Sequence, residues 1–210
     1  MDTAGRAHEI LSRLRTVFPD ARPALAFASA YELLVATVLA AQCTDARVNL
    51  VTPEFFRRWP DPAALARATE AEVSDVIHST GFFRQKAKNL VATARLLVER
   101  HGGAVPASME ALTALPGVAR KTANIVLSNA LGINEGIAVD THVRRLSFRL
   151  GLTTSDVPTV IECDLMPLFP RETWGEINHL LVMHGRVTCR ARKPQCTDCI
   201  LDDICPKVGV

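Results

Sequence analysis

The chain has 210 residues, of which 48% are hydrophobic and 22% are charged, a composition typical of folded globular proteins. This length allows one large or two small packed domains. No apolar run approaches the roughly 18 to 20 residues that a membrane-spanning helix needs, and the start does not combine a basic with an apolar segment as a secretory signal does. We therefore expect a cytoplasmic protein, nucleoid-associated in a bacterial host, with no membrane partner.

The net charge of +2 is too small to indicate nucleic-acid binding by itself. Such binding has to be judged from where the basic residues lie.

Apolar residues recur at the 3.6-residue period of a helix from the beginning of the chain. Segments 10–18 and 34–39 each carry such a face and predict amphipathic helices. Alternating strand patterns and Asn-Gly hairpin signals are missing, so we predict an all-α chain of about ten short helices. The pattern alone marks no clean domain boundary.

Polar residues and glycines indicate where these helices begin and end. Ser29 with Glu32, and Thr69 with Glu72, have capping-box spacing and predict helices that begin near residues 30 and 70. Glycines that follow periodic segments predict C-terminal caps. These glycines are Gly81, Gly102, Gly103, Gly132, Gly151 and Gly185.

LPGVARKTANIV, residues 115–126, predicts two helices joined by a tight turn at Gly117. The second helix would present its first amides and its positive dipole end to a phosphate. Lys121 is expected one turn inside that helix, and Asp140, in AVDTHVRRL, is expected to cap a later one. By position alone, the two residues are most simply a solvated lysine and a structural cap.

Four of the six cysteines lie close together in the spacing C-x6-C-x2-C-x5-C; they are Cys189, Cys196, Cys199 and Cys205. In a reducing compartment, such groups are more often metal ligands than disulfides. Four thiolates suit tetrahedral zinc or a four-cysteine iron–sulfur cluster. The unequal spacings on either side of the central C-x2-C favour a cluster without excluding zinc. Cys43 and Cys163 lie in helical patterns and are interpreted as core residues.

Basic residues flank the first of these cysteines, with no acidic residue among them; they are Arg186, Arg190, Arg192 and Lys193. If a metal site holds this loop, its charges form a cationic surface suited to DNA phosphates. The alternative interpretation is an ordinary solvated loop.

Together, LPGVARKTAN, AVDTHVRRL and the four-cysteine pattern resemble the endonuclease III family of helix-hairpin-helix DNA glycosylases. The resemblance extends over nearly the whole chain and includes LAAQCTDARVN, TGFFRQKAKNL and HGRVTCRARKPQC. It implies base excision repair of double-stranded DNA with damaged pyrimidines, such as thymine glycol, or abasic sites. The enzyme would be a monomer that excises the base and cuts the strand by β-elimination through a Schiff base.

The resemblance also implies a fold of two all-α domains flanking a DNA-binding cleft. A six-helix barrel with the helix-hairpin-helix would cover residues 22–132. Residues 1–21 and 133–210 would form the second domain, in which the four cysteines hold a [4Fe-4S] cluster.

The resemblance assigns roles to individual residues. Lys121 would be the nucleophile and Asp140 its acidic partner, while Gln42 and Phe82 would fill the hole left by an extruded nucleotide. The expected DNA contacts of the hairpin and of the basic loop are Leu115, Gly117, Ala119, Arg120, Arg186, Arg190, Arg192 and Lys193.

Three departures from the family pattern are visible. Ala119 stands where the hairpin usually has a second glycine, and Phe82 stands where a leucine is common. The loop GINEG, residues 132–136, makes the interval from Lys121 to Asp140 one residue longer.

Two alternatives remain open at this point. An adenine DNA glycosylase has a similar cluster but commonly a serine in place of Lys121 and an additional C-terminal domain, which we do not expect here. A non-catalytic DNA-binding or redox-sensing module would use the hairpin and the cluster alone, and would need neither Lys121 nor Asp140.

Overall fold

The structure, a computed structural model, describes residues 1–210 and contains helices but no strands. In chain order the α-helices are α1 (Thr3–Val17), α2 (Ala30–Leu39), α3 (Asp45–Arg58), α4 (Pro62–Ala66), α5 (Glu70–Ile77), α6 (Phe83–His101), α7 (Met109–Thr113), α8 (Arg120–Ala130), α9 (Thr141–Arg149), α10 (Pro158–Leu165) and α11 (Trp174–Val187). The all-α prediction is confirmed. None of these helices is both long enough and apolar enough to cross a membrane.

The chain divides into two compact units, each with its own apolar core. One unit is Pro23–Ile133, and the other combines Met1–Arg22 with Asn134–Val210. The first contains the hairpin and Lys121. The second contains Asp140 and the four grouped cysteines.

Helix α2 lies at the centre of the first unit. Every residue from Tyr31 to Leu39 is buried except Glu32, because α3, α6 and α8 all pack against this helix. The sequence prediction of an amphipathic helix was therefore wrong for α2, which is apolar nearly all round, as is typical of a helix buried on all sides.

The predicted N-terminal caps are present at α2 and α5. Thr69 and Glu72 form a complete capping box. Ser29 accepts the Glu32 amide at 3.2 Å, but the Glu32 carboxylate accepts the amide of Ala28 instead of that of Ser29. The helices begin at Ala30 and Glu70, as the sequence predicts.

Gly185 is not a C-terminal cap, contrary to the sequence prediction. It is buried inside α11 and has no positive φ. A Cβ added there would lie 2.7 Å from His142 Nδ1 and 2.9 Å from an Arg145 guanidinium nitrogen. The residue is a glycine because α9 packs closely against α11.

In the second unit, α1 forms hydrogen bonds with the C-terminal segment. Arg13 donates to Asp203 at 2.6 Å and to the carbonyl oxygen of Ile200 at 3.0 Å. Arg15 pairs with Glu176 of α11 at 2.7 Å. Exposed ion pairs contribute little stability individually; Arg13 joins α1 to the tail that carries the cysteines, and Arg15 joins it to α11.

Candidate functional site

The hairpin between α7 and α8 is a tight turn anchored by buried apolar residues. Leu115 and Val118 are buried, and the Val118 amide donates to the Leu115 carbonyl oxygen at 3.1 Å. The Thr93 hydroxyl of α6 donates to the Pro116 carbonyl oxygen at 3.0 Å. The side chain of Leu115 therefore belongs to the core, and only its backbone remains to contact a ligand.

Gly117 occupies the one position of this turn that requires glycine. Its φ is +78°, and an added Cβ would lie 2.6 Å from Nδ2 of Asn89. We expect Gly117→Ala to lower the free energy of unfolding by about 2 kcal/mol, from left-handed strain plus the clash, and to weaken DNA binding. Chemical denaturation and a DNA titration measure the two effects.

The matched control is the double variant Asn89→Ala/Gly117→Ala, which removes the clash and keeps the strain. Gly117→Ala should lower the free energy of unfolding by less in the Asn89→Ala background than in the wild-type protein. Equal losses in both backgrounds would show that the close approach to Asn89 is unimportant.

Helix α8 begins directly after this turn without a side-chain cap. Its N-cap is Ala119, which makes no capping hydrogen bond, whereas Ser29, Thr44 and Asp140 cap their helices. The φ of Ala119 is −86°, so the alanine causes no backbone strain where the family usually has glycine. An uncapped helix start is suited to a phosphate.

Lys121 is exposed and is the second residue of α8. The prediction that it lies one turn inside the helix was wrong, because α8 starts only at Arg120. Its ammonium thus projects from the first turn, beside the hairpin.

Asp140 is the N-cap of α9, as predicted. Its Oδ1 accepts the amides of His142 and Val143, both at 2.8 Å, so capping does not occupy Oδ2. The residue is half-buried. Asp140 therefore caps α9 through Oδ1, while Oδ2 takes no part in the cap.

Two histidines accompany Asp140. Burial lowers the pKa of His179 to about 4, opposed by the negative charge of Asp140. Burial also lowers the pKa of His142, opposed by Asp140 and reinforced by Arg145 and Arg186. Both shifts favour the uncharged ring, which adds no positive charge beside Asp140.

Gln42 and Phe82 are both exposed and both left-handed, with φ of 53° and 47°. For residues other than glycine this conformation costs about 1 kcal/mol or more each. Phe82 leaves 68% of its surface in water. Strained backbone beneath an exposed aromatic ring is typical of a functional site.

The four cysteines line one pocket together with apolar side chains. The pocket is partly open to solvent, and its walls include Leu146, Leu150, Pro194 and Val210. Backbone amides of Leu201 and Lys207 donate to the sulfurs of Cys199 and Cys205, both at 3.4 Å. Burial raises the pKa of these two thiols, and the two amides lower it. No three histidine, cysteine or acidic side chains converge on a single-ion position.

The basic residues of the tail are exposed, as expected of a surface that meets phosphates; they are Arg186, Arg190, Arg192 and Lys193. Arg149 of α9 is buried and donates to the carbonyl oxygens of Arg190 and Ala191 at 2.7 and 3.1 Å. It also approaches Cys189 Sγ at 3.5 Å. Arg149 therefore holds the basic loop beside the cysteine pocket.

Each of the two remaining cysteines departs in one respect from the prediction of a core residue in a helix. Cys163 is exposed on α10 instead of buried in a core. Cys43 lies in the bend after α2, half-buried against the core of the first unit. The helical pattern of the sequence continues past Leu39, where α2 ends, so the sequence wrongly placed Cys43 inside a helix.

Sequence reasoning missed Arg149 and Lys86. Both are basic residues on helices, for which exposure is the usual outcome, yet they are 9% and 5% exposed. Their partners are backbone carbonyls, which leave no signal in the residue pattern.

Comparisons with known proteins agree with this architecture. Residues 35–171 match the family model described as HhH-GPD superfamily base excision DNA repair protein. Endonuclease III of Synechocystis sp. is 53% identical over 201 residues, which cover 96% of this chain and 92% of the relative. Endonuclease III of Escherichia coli strain K12 is 42% identical over 197 residues, covering 94% and 93%.

Solved structures give the same result. A trapped endonuclease III–DNA covalent intermediate matches with a TM-score of 0.92 and 39% identity, over 99% of this chain and 97% of that chain. A thermostable thymine-DNA glycosylase matches with a TM-score of 0.87 and 22% identity, over 99% of both chains, which supports the fold alone.

The helical fold and its hairpin thus define a base excision DNA repair protein of the HhH-GPD superfamily. Within that superfamily, the chain belongs to the endonuclease III family. It is a bifunctional enzyme of base excision repair, a DNA glycosylase with abasic-site lyase activity. The resemblance seen in the sequence is confirmed.

Proposed function

We propose that the enzyme removes oxidised pyrimidines, such as thymine glycol, from double-stranded DNA, with Lys121 as nucleophile and Asp140 as its acidic partner. The observation that carries the proposal is the exposed Lys121 in the first turn of the uncapped helix α8, directly after the Gly117 turn. A DNA phosphate bound at the start of α8 would bring the neighbouring deoxyribose close to Lys121.

Binding begins with the DNA backbone. The amides at the start of α8 and the hairpin contact phosphates without reading sequence. The basic loop of the second unit, which Arg149 holds in place, adds electrostatic attraction that weakens as salt rises. In this proposal the two units are the helix-hairpin-helix domain and the iron–sulfur domain of a cytoplasmic monomer.

The damaged nucleotide must leave the duplex before the sugar can be reached. Extrusion costs a few kcal/mol, and less where the base is damaged. Gln42 and Phe82 would enter the gap and replace the lost stacking. Their exposure and their left-handed backbone support this role.

The chemistry then proceeds at C1′ of the extruded sugar. A lysine amine in water is protonated at neutral pH, so Lys121 must lose a proton before Nζ can form its bond to C1′. The C1′–N bond breaks, and its electron pair leaves with the base, which takes up a proton. Opening of the sugar ring gives a Schiff base; loss of a C2′ proton then expels the 3′ phosphate by β-elimination.

Asp140 would accept the proton from Lys121 and stabilise the positive charge that develops on the sugar. General-base help of this kind contributes about 10² to 10⁴ in rate. The carboxylate is half-buried, and its Oδ2 takes no part in capping α9, which suits both tasks.

The central test is chemical trapping. Borohydride reduces a Schiff base to a stable amine, so the enzyme mixed with duplex DNA containing one abasic site should become covalently attached to it. Failure of the iron-loaded enzyme to trap would contradict Schiff-base formation by Lys121. Excision of adenine without strand cutting would contradict oxidised pyrimidines as the substrate.

We further propose that the four tail cysteines hold a [4Fe-4S] cluster. All four cysteines line the same pocket, as the ligands of one shared group must. Amides directed at cysteine sulfurs stabilise thiolates bound to iron. The bound group would supply a rigid cross-link that fixes the basic loop.

Removal of one ligand tests the cluster directly. Purified protein should contain four irons and four acid-labile sulfides per chain, as a [4Fe-4S] cluster requires. Cys196→Ala should lose most of this iron and bind undamaged duplex DNA about tenfold or more weakly, because the basic loop is released.

Cys163→Ala is the matched control, since this cysteine is exposed on α10. It should keep its iron and its DNA affinity. Protein that contains one zinc ion per chain and no sulfide would contradict the cluster.

A further inference from the structure

Helix α6 carries a buried lysine that the proposed chemistry does not use. Lys86 is 5% exposed, although lysines are almost never buried unless they are paired. Its Nζ donates to the carbonyl oxygen of Leu39 at 2.8 Å and to that of Thr80 at 2.7 Å. Burial lowers the pKa of Lys86, with nearby Cys43 acting in the opposite direction. The carbonyl oxygens repay part of the cost of burying the charge.

The two carbonyls belong to segments that are far apart in sequence. Leu39 is the last residue of α2 and is fully buried. Thr80 ends the short 3₁₀ turn His78–Thr80 and is 1% exposed. Carbonyls in the last turn of a helix lack intrahelical partners and carry partial negative charge. The ammonium therefore caps the end of α2 and joins it to this turn.

These two segments lead directly to Gln42 and Phe82. The Lys86 amide also donates to the carbonyl oxygen of Phe82, at 3.1 Å. A Cβ built on Gly81 would lie 4.0 Å from the carbonyl oxygen of Gln42, so the two loops are neighbours. The backbone and the side chain of Lys86 thus hold both loops from one point of α6.

Gln42 and Phe82 need such support. Both adopt left-handed backbone, with φ of 53° and 47°, which persists only where surrounding contacts over-determine it. Side chains that are already fixed lose less conformational freedom when they enter DNA. Loops that could relax would lose this freedom at every binding event.

We propose that Lys86 is a positioning residue: its buried ammonium ties the end of α2 to the turn before Phe82 and so presets Gln42 and Phe82 for insertion into DNA. The inference rests on the proposed function, in which these two side chains fill the gap left by the extruded nucleotide. Lys86 touches neither DNA nor the reacting atoms. It acts through the geometry of the two loops.

A double-mutant cycle tests the role. In single-turnover base release from a duplex with one thymine glycol, Lys86→Met and the variant Gln42→Ala/Phe82→Ala should each be slower by about tenfold or more. Adding Lys86→Met to Gln42→Ala/Phe82→Ala should slow base release by no more than about twofold further, because the lysine acts through these two side chains. Trapping on a preformed abasic site should stay within about threefold of wild type, since no base pair has to be opened.

Lys88→Met is the matched control: it removes an exposed lysine two residues along the same helix and should leave base release unchanged. Losses that multiply when Lys86→Met is combined with Gln42→Ala/Phe82→Ala, or an unaffected Gln42→Ala/Phe82→Ala, would overturn the positioning role. Absence of trapping by the wild-type enzyme would instead overturn the proposed function, so the two failures are distinguishable.

Lys86→Arg serves if Lys86→Met does not fold. It keeps the cation, but a planar guanidinium cannot replace an ammonium between two carbonyl oxygens without moving them. Base release should be several-fold slower, and this loss should vanish in the Gln42→Ala/Phe82→Ala background. Base release by Lys86→Arg at the wild-type rate contradicts the inference.

Discussion

Replacing Lys121 with alanine should abolish covalent trapping and slow base release by about 10³-fold or more, because removing a nucleophile removes the covalent route. The variant should fold normally, since the residue is exposed in the first turn of α8 and alanine is the best helix former. Denaturing gels after borohydride reduction measure trapping. Single-turnover assays on duplexes with one thymine glycol measure base release.

Two controls make this result specific to Lys121. Lys88→Ala, at an exposed lysine of α6, should trap like the wild-type enzyme. DNA affinity of Lys121→Ala for an uncleavable abasic analogue should change by only a few fold, since a single charge is lost. A variant that still forms the covalent complex would assign the nucleophile to another amine.

Replacing Asp140 with asparagine should slow base release by about 10² to 10⁴-fold, the range that general-base help contributes. Asparagine is an equally good N-cap, so its side-chain oxygen can still accept the amides of His142 and Val143. The free energy of unfolding should therefore change little. Comparing single-turnover rates with thermal unfolding separates chemistry from folding.

Asp140→Ala completes this comparison, because it removes the cap together with the charge. It should lose about 1 kcal/mol of stability in addition to the activity. Full base-release activity of folded Asp140→Asn would show that the carboxylate only caps α9. The proton of Lys121 would then need another acceptor.

The extent to which structure followed from sequence differed between features. The starts of α2 and α5, the Gly117 turn and the Asp140 cap were predicted correctly because each depends on residues within a few positions of one another. Gly185 was misassigned because a glycine after a periodic segment has the same pattern whether it ends a helix or allows a close crossing. Its crossing partners, His142 and Arg145, lie on another helix.

The candidate site divides in the same way. Motif resemblance proposed the lysine, the aspartate and the four cysteines, and the family they indicated is confirmed. The supports of the site were not visible, because Arg149 and Lys86 bind backbone carbonyls of residues far from them in the chain. A carbonyl is common to every residue, so no residue type records such a contact.

By itself, the sequence determined that this protein is all-helical, that a glycine turn precedes Lys121 and that four thiols lie together near residue 200. Helical period, capping and cysteine spacing are local properties, and local properties can be read along a chain. Only the tertiary structure decided that α2 is buried on nearly every side and that one ammonium joins residues 39 and 80. Those outcomes depend on which distant segments pack together, and the free energy of that packing is shared among many residues.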